Sequence, residues 1–127
     1  MPGQAPSAES AGGAQPPASA VIDGIFRALS DPTRRSVIER LGTRPASVTE
    51  LAAEYRMALP SFVEHLKMLE GSGLVRSKKV GRVRTYELTP GRLQLATDWL
   101  DRQRAIWEAR LDRLDAYLLA MKQEIQE

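Results

Sequence analysis

The chain has 127 residues, 43% hydrophobic and 27% charged, which suits a soluble globular domain with a real core. It has no cysteine, which excludes disulfides, thiolate metal sites and cysteine nucleophiles. Net charge is only +2 but uneven: residues 30–90 carry 11 Lys/Arg against 7 Asp/Glu, whereas residues 1–29 and 91–127 are each at −1. The positive charge sits in the middle segment, as an anionic partner requires. No apolar run approaches the ~20 residues of a membrane span, and the N-terminus lacks a secretory pattern, so the expected location is cytoplasmic.

Residues 1–18 are rich in Ala, Gly, Pro, Ser and Gln without apolar periodicity, and a disordered tail is expected there. A first helix is expected from about Ala20 to Leu29, with Ile22, Ile25, Phe26 and Leu29 on one face. Gly24 weakens it by roughly 1 kcal/mol relative to Ala. Asp31-Pro32 reads as N-cap plus N1 of a second helix, and Arg34, Val37, Ile38 and Leu41 give its 3–4 spacing. Gly42 is its expected stop. Ser47 with Glu50 three residues later is a capping box for a third helix, Ser47–Tyr55, whose apolar face is Val48, Leu51, Ala52 and Tyr55. Pro60 permits a helix only in its first turn, so a fourth helix starts around Ala58–Pro60. Phe62, Leu66 and Leu69 line one side of it, and Gly71-Ser72-Gly73 ends it.

Leu74–Lys79 and Val83–Leu88 have strand character around a turn at Val80-Gly81-Arg82. Thr89-Pro90 again reads as a helix start. From Trp107, the residues Leu111, Leu114, Leu118, Met121 and Ile125 follow at spacings of 4, 3, 4, 3 and 4, a heptad-like seam. Leu95, Trp99 and Leu100 extend an apolar face upstream, with a break expected near Asp101–Gln103.

Helix, tight turn, helix and basic hairpin, in that order, suit double-stranded DNA. The major groove, about 12 Å wide, admits one helix, whose first residues face base edges. The candidates there are Ala58, Leu59, Ser61, Glu64, His65 and Lys67. The hairpin carries Arg76, Lys78, Lys79, Arg82 and Arg84 against Glu87 alone, which suits phosphate or minor-groove contact. The alternative is a small fold whose basic rim is merely solvated. No Gly-rich phosphate loop, nucleophile–base set or paired-carboxylate cleft is present, so no enzyme and no cofactor are expected. Ser61 and His65, one turn apart, lack a third group. A metal site is not expected: Asp98, Asp101, Asp112 and Asp115 have no histidine near them, and His65 is the only one in the chain. The C-terminal seam reads as a dimer contact or core, or as one wall of a small-molecule pocket or protein-docking face.

Phe26-Arg27-Ala28-Leu29-Ser30-Asp31-Pro32-Thr33-Arg34-Arg35 resembles the opening signature of the ArsR-type winged helix-turn-helix repressors. Thr49-Glu50-Leu51-Ala52 and then the run from His65 to Val75 continue the match in register. Lys79 to Leu88 looks like the family's wing. The ending, Trp99-Leu100 through Trp107 to Asp112, looks like a non-metal branch. The resemblance covers roughly residues 20 to 120. It implies a mostly α fold with a small β-hairpin, one domain over residues 19–127 with a C-terminal dimerisation helix at about 90–123. It also implies a homodimer on a palindromic operator, usually as a repressor. Dimerisation would use the first and last helices, here Ile22, Ile25, Phe26, Trp107, Leu111, Leu114, Leu118 and Met121. The recognition helix departs from the family, which has a Ser cap then Gln, and Ser-Lys before the His. Here those positions hold Ala58, Leu59, Val63 and Glu64, so the operator sequence does not transfer. The alternative is a winged-helix interaction module that works through its C-terminal helix with weak or no operator binding.

Overall fold

Asp31 and Pro32 set the first fixed point of the folded chain. In the computed structural model, which describes residues 17–126, the Asp31 carboxylate accepts from the Arg34 amide at 3.0 Å and Pro32 takes the first helical position. Helix α1 (Ala18–Ala28) precedes this cap and α2 (Pro32–Leu41) follows it. The first helix thus begins two residues before the expected Ala20. Most of the expected N-terminal tail, residues 1–16, lies outside the described residues. Gly42 caps α2 as expected, in an ordinary right-handed conformation.

The capping box is present: the Glu50 amide donates to Ser47 Oγ at 3.1 Å, and the Glu50 carboxylate accepts from the Ser47 amide at 2.8 Å. Helix α3 then runs only Val48–Ala52, not to Tyr55 as the periodicity predicts. The reason is Tyr55. Its hydroxyl shares a 2.9 Å hydrogen bond with Ser36, and its ring lies 5.0 Å from that of Phe62. The backbone unwinds into turns over 53–55 to bring the ring there. Helix α4 (Leu59–Gly71) starts where Pro60 requires.

A three-stranded antiparallel sheet has the order β1-β3-β2. Strands β2 (Val75–Val80) and β3 (Val83–Leu88) form the expected hairpin, with β2 one residue later than predicted. Gly81 has φ +64°, as the first central residue of a two-residue hairpin turn of type II′ requires. Strand β1 (Ala46–Ser47) pairs with Tyr86 and Thr85, and was not anticipated, since two residues carry no periodicity.

Helix α4 supplies the centre of the core: Phe62, Leu66 and Leu69 are all fully buried. It packs on α1, α2, α3 and β2. Ile25, Val37, Leu51, Val75 and Tyr86 complete the core around it.

Residues 91–126 are a second unit, described by itself. It is one helix, α5 (Arg92–Gln126), of 35 residues, about 52 Å long at 1.5 Å per residue. It starts two residues after the expected Pro90, because Gly91 adopts φ +84° and the Thr89 amide extends the hairpin ladder to Leu74 O. The expected break at 101–103 does not occur. Trp107, Leu111, Leu114, Leu118, Met121 and Ile125 form one exposed apolar stripe. No helix is long and apolar enough to cross a membrane among the described residues.

Two measurements check the capping box. Ser47→Ala is expected to lower stability by about 1 kcal/mol in urea unfolding. The Ser47 amide and hydroxyl hold the Glu50 carboxyl below its usual range. Its stabilisation is therefore present above that range and lost as pH falls through it, and Glu50→Gln is expected to flatten the acid limb of the stability profile.

Candidate nucleic-acid interface

Helices α3 and α4 with the turn between them form a helix-turn-helix, and β2 and β3 form the wing beside it. Arg34 fixes α4 in place. Its Nε donates to Ala28 O at 2.7 Å, its Nη2 to Arg27 O at 3.1 Å, and its Nη1 lies 3.1 Å from His65 Nδ1. One guanidinium thus caps the last carbonyls of α1 and reaches the middle of α4. Arginine has only donors, so Nδ1 must accept. Neutral His65 therefore carries its proton on Nε2. The Asp31 carboxylate lies 3.7 Å from the same Nδ1. Burial raises the Asp31 carboxyl, but the hydrogen bond from the Arg34 amide and the neighbouring positive charge, that of the Arg34 guanidinium included, outweigh it and hold it below its ordinary value. His65, one of the DNA-contact candidates of this helix, is half-buried in this network and leaves Nε2–H as its outward donor.

The outward face of α4 follows from its buried one. Phe62, Leu66 and Leu69 face in, so Ser61, Glu64, Lys67 and Met68 face out. Three of the sequence candidates therefore share one surface. Glu64 and Lys67 pair at 3.3 Å, each about 70% exposed. Ala58 is the N-cap but makes no side-chain capping bond, and Leu59 is 54% exposed at the helix start. Met68, 41% exposed, is an outward residue that the sequence reading passed over. Its position four residues after Glu64 was the available signal.

The five wing cations are not equivalent. Arg76 is held by Glu87 at 2.6 Å. Arg84 Nη1 donates to Ser77 Oγ at 2.7 Å, and Ser77 Oγ donates to Glu70 Oε2 at 2.7 Å. This chain links β3, β2 and the end of α4. Beneath it, burial and the Glu70 charge push the Tyr86 phenol up. Lys78, Lys79 and Arg82 have no hydrogen-bond or ion-pair partner among the described residues. Arg82 stands at the turn, between the exposed cross-strand pair Val80 and Val83.

Of the dimerisation candidates, Trp107, Leu111, Leu114, Leu118 and Met121 are exposed on α5, and Arg110 lies 5.5 Å over the Trp107 ring. On α1, Phe26 is 37% exposed and Ile22 is half-buried. Ile25 is fully buried, so it has no surface left for a partner and belongs to the core. No group of three or more His, Cys, Asp or Glu side chains that could hold a metal ion occurs among the described residues.

Fold and surface together define a winged helix-turn-helix DNA-binding protein. The helix-turn-helix domain family matches residues 29–78. The HTH-type transcriptional regulator Rv2034 of Mycobacterium tuberculosis is 42% identical over 81 residues, covering 63% of this chain and 75% of that protein. The transcriptional repressor SdpR of Bacillus subtilis is 27% identical over 79 residues, covering 62% of this chain and 88% of that one. The crystal structure of the ArsR family transcriptional regulator RHA00566 superposes with a TM-score of 0.68 at 47% identity, over 75% of this chain and 96% of that one. The chain belongs to the ArsR family of transcriptional regulators.

Asp31→Asn keeps a capping side chain and removes the charge. Because the Asp31 carboxyl is held low in the folded state, its contribution is present above the ordinary carboxylate range and lost below it. The stability gap between wild type and Asp31→Asn is expected to be widest near neutrality and to close below about pH 4, as read from urea midpoints.

Proposed function

We propose that this regulator is a cytoplasmic homodimeric repressor of a palindromic operator, with α4 in the major groove and the wing on the flanking backbone. The observation that carries this reading is the set of three uncommitted cations, Lys78, Lys79 and Arg82, on a hairpin tied to the end of α4. Phosphate contacts supply sequence-independent affinity, and base contacts from α4 supply the register. Two recognition helices related by a two-fold axis meet successive major grooves about 34 Å apart. The exposed α5 stripe, with Ile22 and Phe26 of α1, supplies the dimer contact. SdpR is itself named a transcriptional repressor, which supports the repressor assignment. This reading gives the chain no catalytic role, cofactor or metal sensor.

A second reading, a winged-helix interaction module with weak or no operator binding, is favoured by the exposed Leu59 and the acidic Glu64 on α4. Salt dependence separates the two. Arg82→Ala is expected to weaken binding similarly across sequences and to lower the log–log salt slope by up to about 1 per wing, about 2 per dimer. Arg76→Ala is expected to change the slope less, because Glu87 already neutralises Arg76. An unchanged slope for Arg82→Ala removes the wing from the mechanism. Leu114→Glu is expected to sediment as a monomer, and unaltered sedimentation overturns the α5 contact. Stoichiometric zinc or arsenite is expected to leave the DNA complex intact; release by either overturns the metal-independent reading.

A further inference from the structure

The geometry points to a specific base pair for the centre of α4: Glu64 and Lys67 together read one C·G pair in each half-site. This inference rests on the reading of α4 as the major-groove helix and extends it to the chemistry of the site read.

The first argument is what α4 lacks. Leu59–Gly71 contains no Arg, Asn or Gln. The forked side chains that read guanine or adenine through paired hydrogen bonds are therefore missing. The charged groups on the outward face of the helix are Glu64 and Lys67, with Ser61 and Met68 beside them.

The second argument is how those two groups stand. Glu64 Oε2 and Lys67 Nζ are 3.3 Å apart, an acceptor and a donor side by side. In the major groove a C·G pair presents the complementary arrangement: the cytosine N4 amino group donates, and guanine O6 and N7 accept. Glu64 accepts from cytosine N4 while Lys67 donates to the guanine of the same pair. Both side chains are about 70% exposed, so parting them to engage the bases loses little. A carboxylate held over thymine O4 or guanine O6 meets an acceptor and is rejected by repulsion as well as by the missing bond. Adenine offers an N6 donor, but its N7 acceptor stands beside it and repels the second carboxylate oxygen, where cytosine has only a C–H.

The test is selection of binding sites from a randomised duplex pool by the full chain, run in parallel with Glu64→Gln. Wild type is expected to enrich a position occupied by C·G in each half-site. Glu64→Gln is expected to turn that same position to A·T, because a glutamine pairs with adenine N6 and N7. In competition between the two duplexes, the preference is expected to reverse from about tenfold for C·G to about tenfold for A·T. Lys67→Ala is expected to reduce the wild-type preference without reversing it. Glu64 touches no phosphate in this arrangement, so Glu64→Gln does not lower the salt slope. Thermal unfolding of each variant checks that the exposed substitutions leave the fold intact. A consensus that is the same for wild type and Glu64→Gln overturns the C·G assignment while leaving DNA binding in place. A wild-type pool that enriches no sequence at all overturns the major-groove reading itself.

Discussion

The Arg34 guanidinium is the contact on which the helix-turn-helix and its seat on the first helix depend. Its three directions of hydrogen bonding end on the Ala28 and Arg27 carbonyls and on His65 Nδ1. The Arg27 carbonyl also accepts from the Ser30 hydroxyl at 2.7 Å and its amide at 3.2 Å, so it is the Ala28 carbonyl, at the open end of α1, that relies on the guanidinium. His65 lies on the helix that carries the outward residues. A lysine at position 34 has no planar fork and reaches one of these targets at a time. With Asp31 closing the set from the start of α2, the helix-turn-helix is fastened by polar contacts at its rim. Phe62, Leu66 and Leu69 fasten it by burial at its centre.

Much of this arrangement was legible in the sequence. The caps at Asp31-Pro32 and Ser47–Glu50 are local, and both were found where the residue types placed them. The buried face of α4 followed from the spacing of Phe62, Leu66 and Leu69. What could not be read depends on partners distant along the chain. Tyr55 fits the helical spacing of α3, yet its hydroxyl is drawn to Ser36 and its ring to Phe62, so the helix stops early. Arg34 was read for its place in the spacing of α2, while its role is set by a histidine 31 residues away. Strand β1 exists only because β3 lies beside it. Ile25 fits an apolar helix face equally well as core or as dimer contact, and only its complete burial decides between them.

The wing shows why a count of charges says less than their placement. Five cations against one glutamate read as a uniform basic patch. In the folded hairpin Arg76 is answered by Glu87, and Arg84 is turned inward to Ser77. Neither contact contributes much stability: both are exposed, and an exposed ion pair such as Arg76–Glu87 is worth roughly 0–1 kcal/mol. Their effect is to set direction, leaving the free positive charge at Lys78, Lys79 and Arg82.

The relay from Arg84 through Ser77 to Glu70 carries a further consequence. It joins the tip-side half of the hairpin to the last turn of α4, so in the proposed reading the two surfaces that meet DNA behave as the jaws of one caliper. The opening of a caliper is fixed by its hinge. A duplex that meets both jaws must bring its groove and its flanking backbone to that opening, and a stiff duplex pays for the bend. Sequences that deform easily at the junction are then favoured even where no side chain reaches a base. Discrimination of that kind would be written in the flexibility of base steps between α4 and the wing, at positions no contact map would mark.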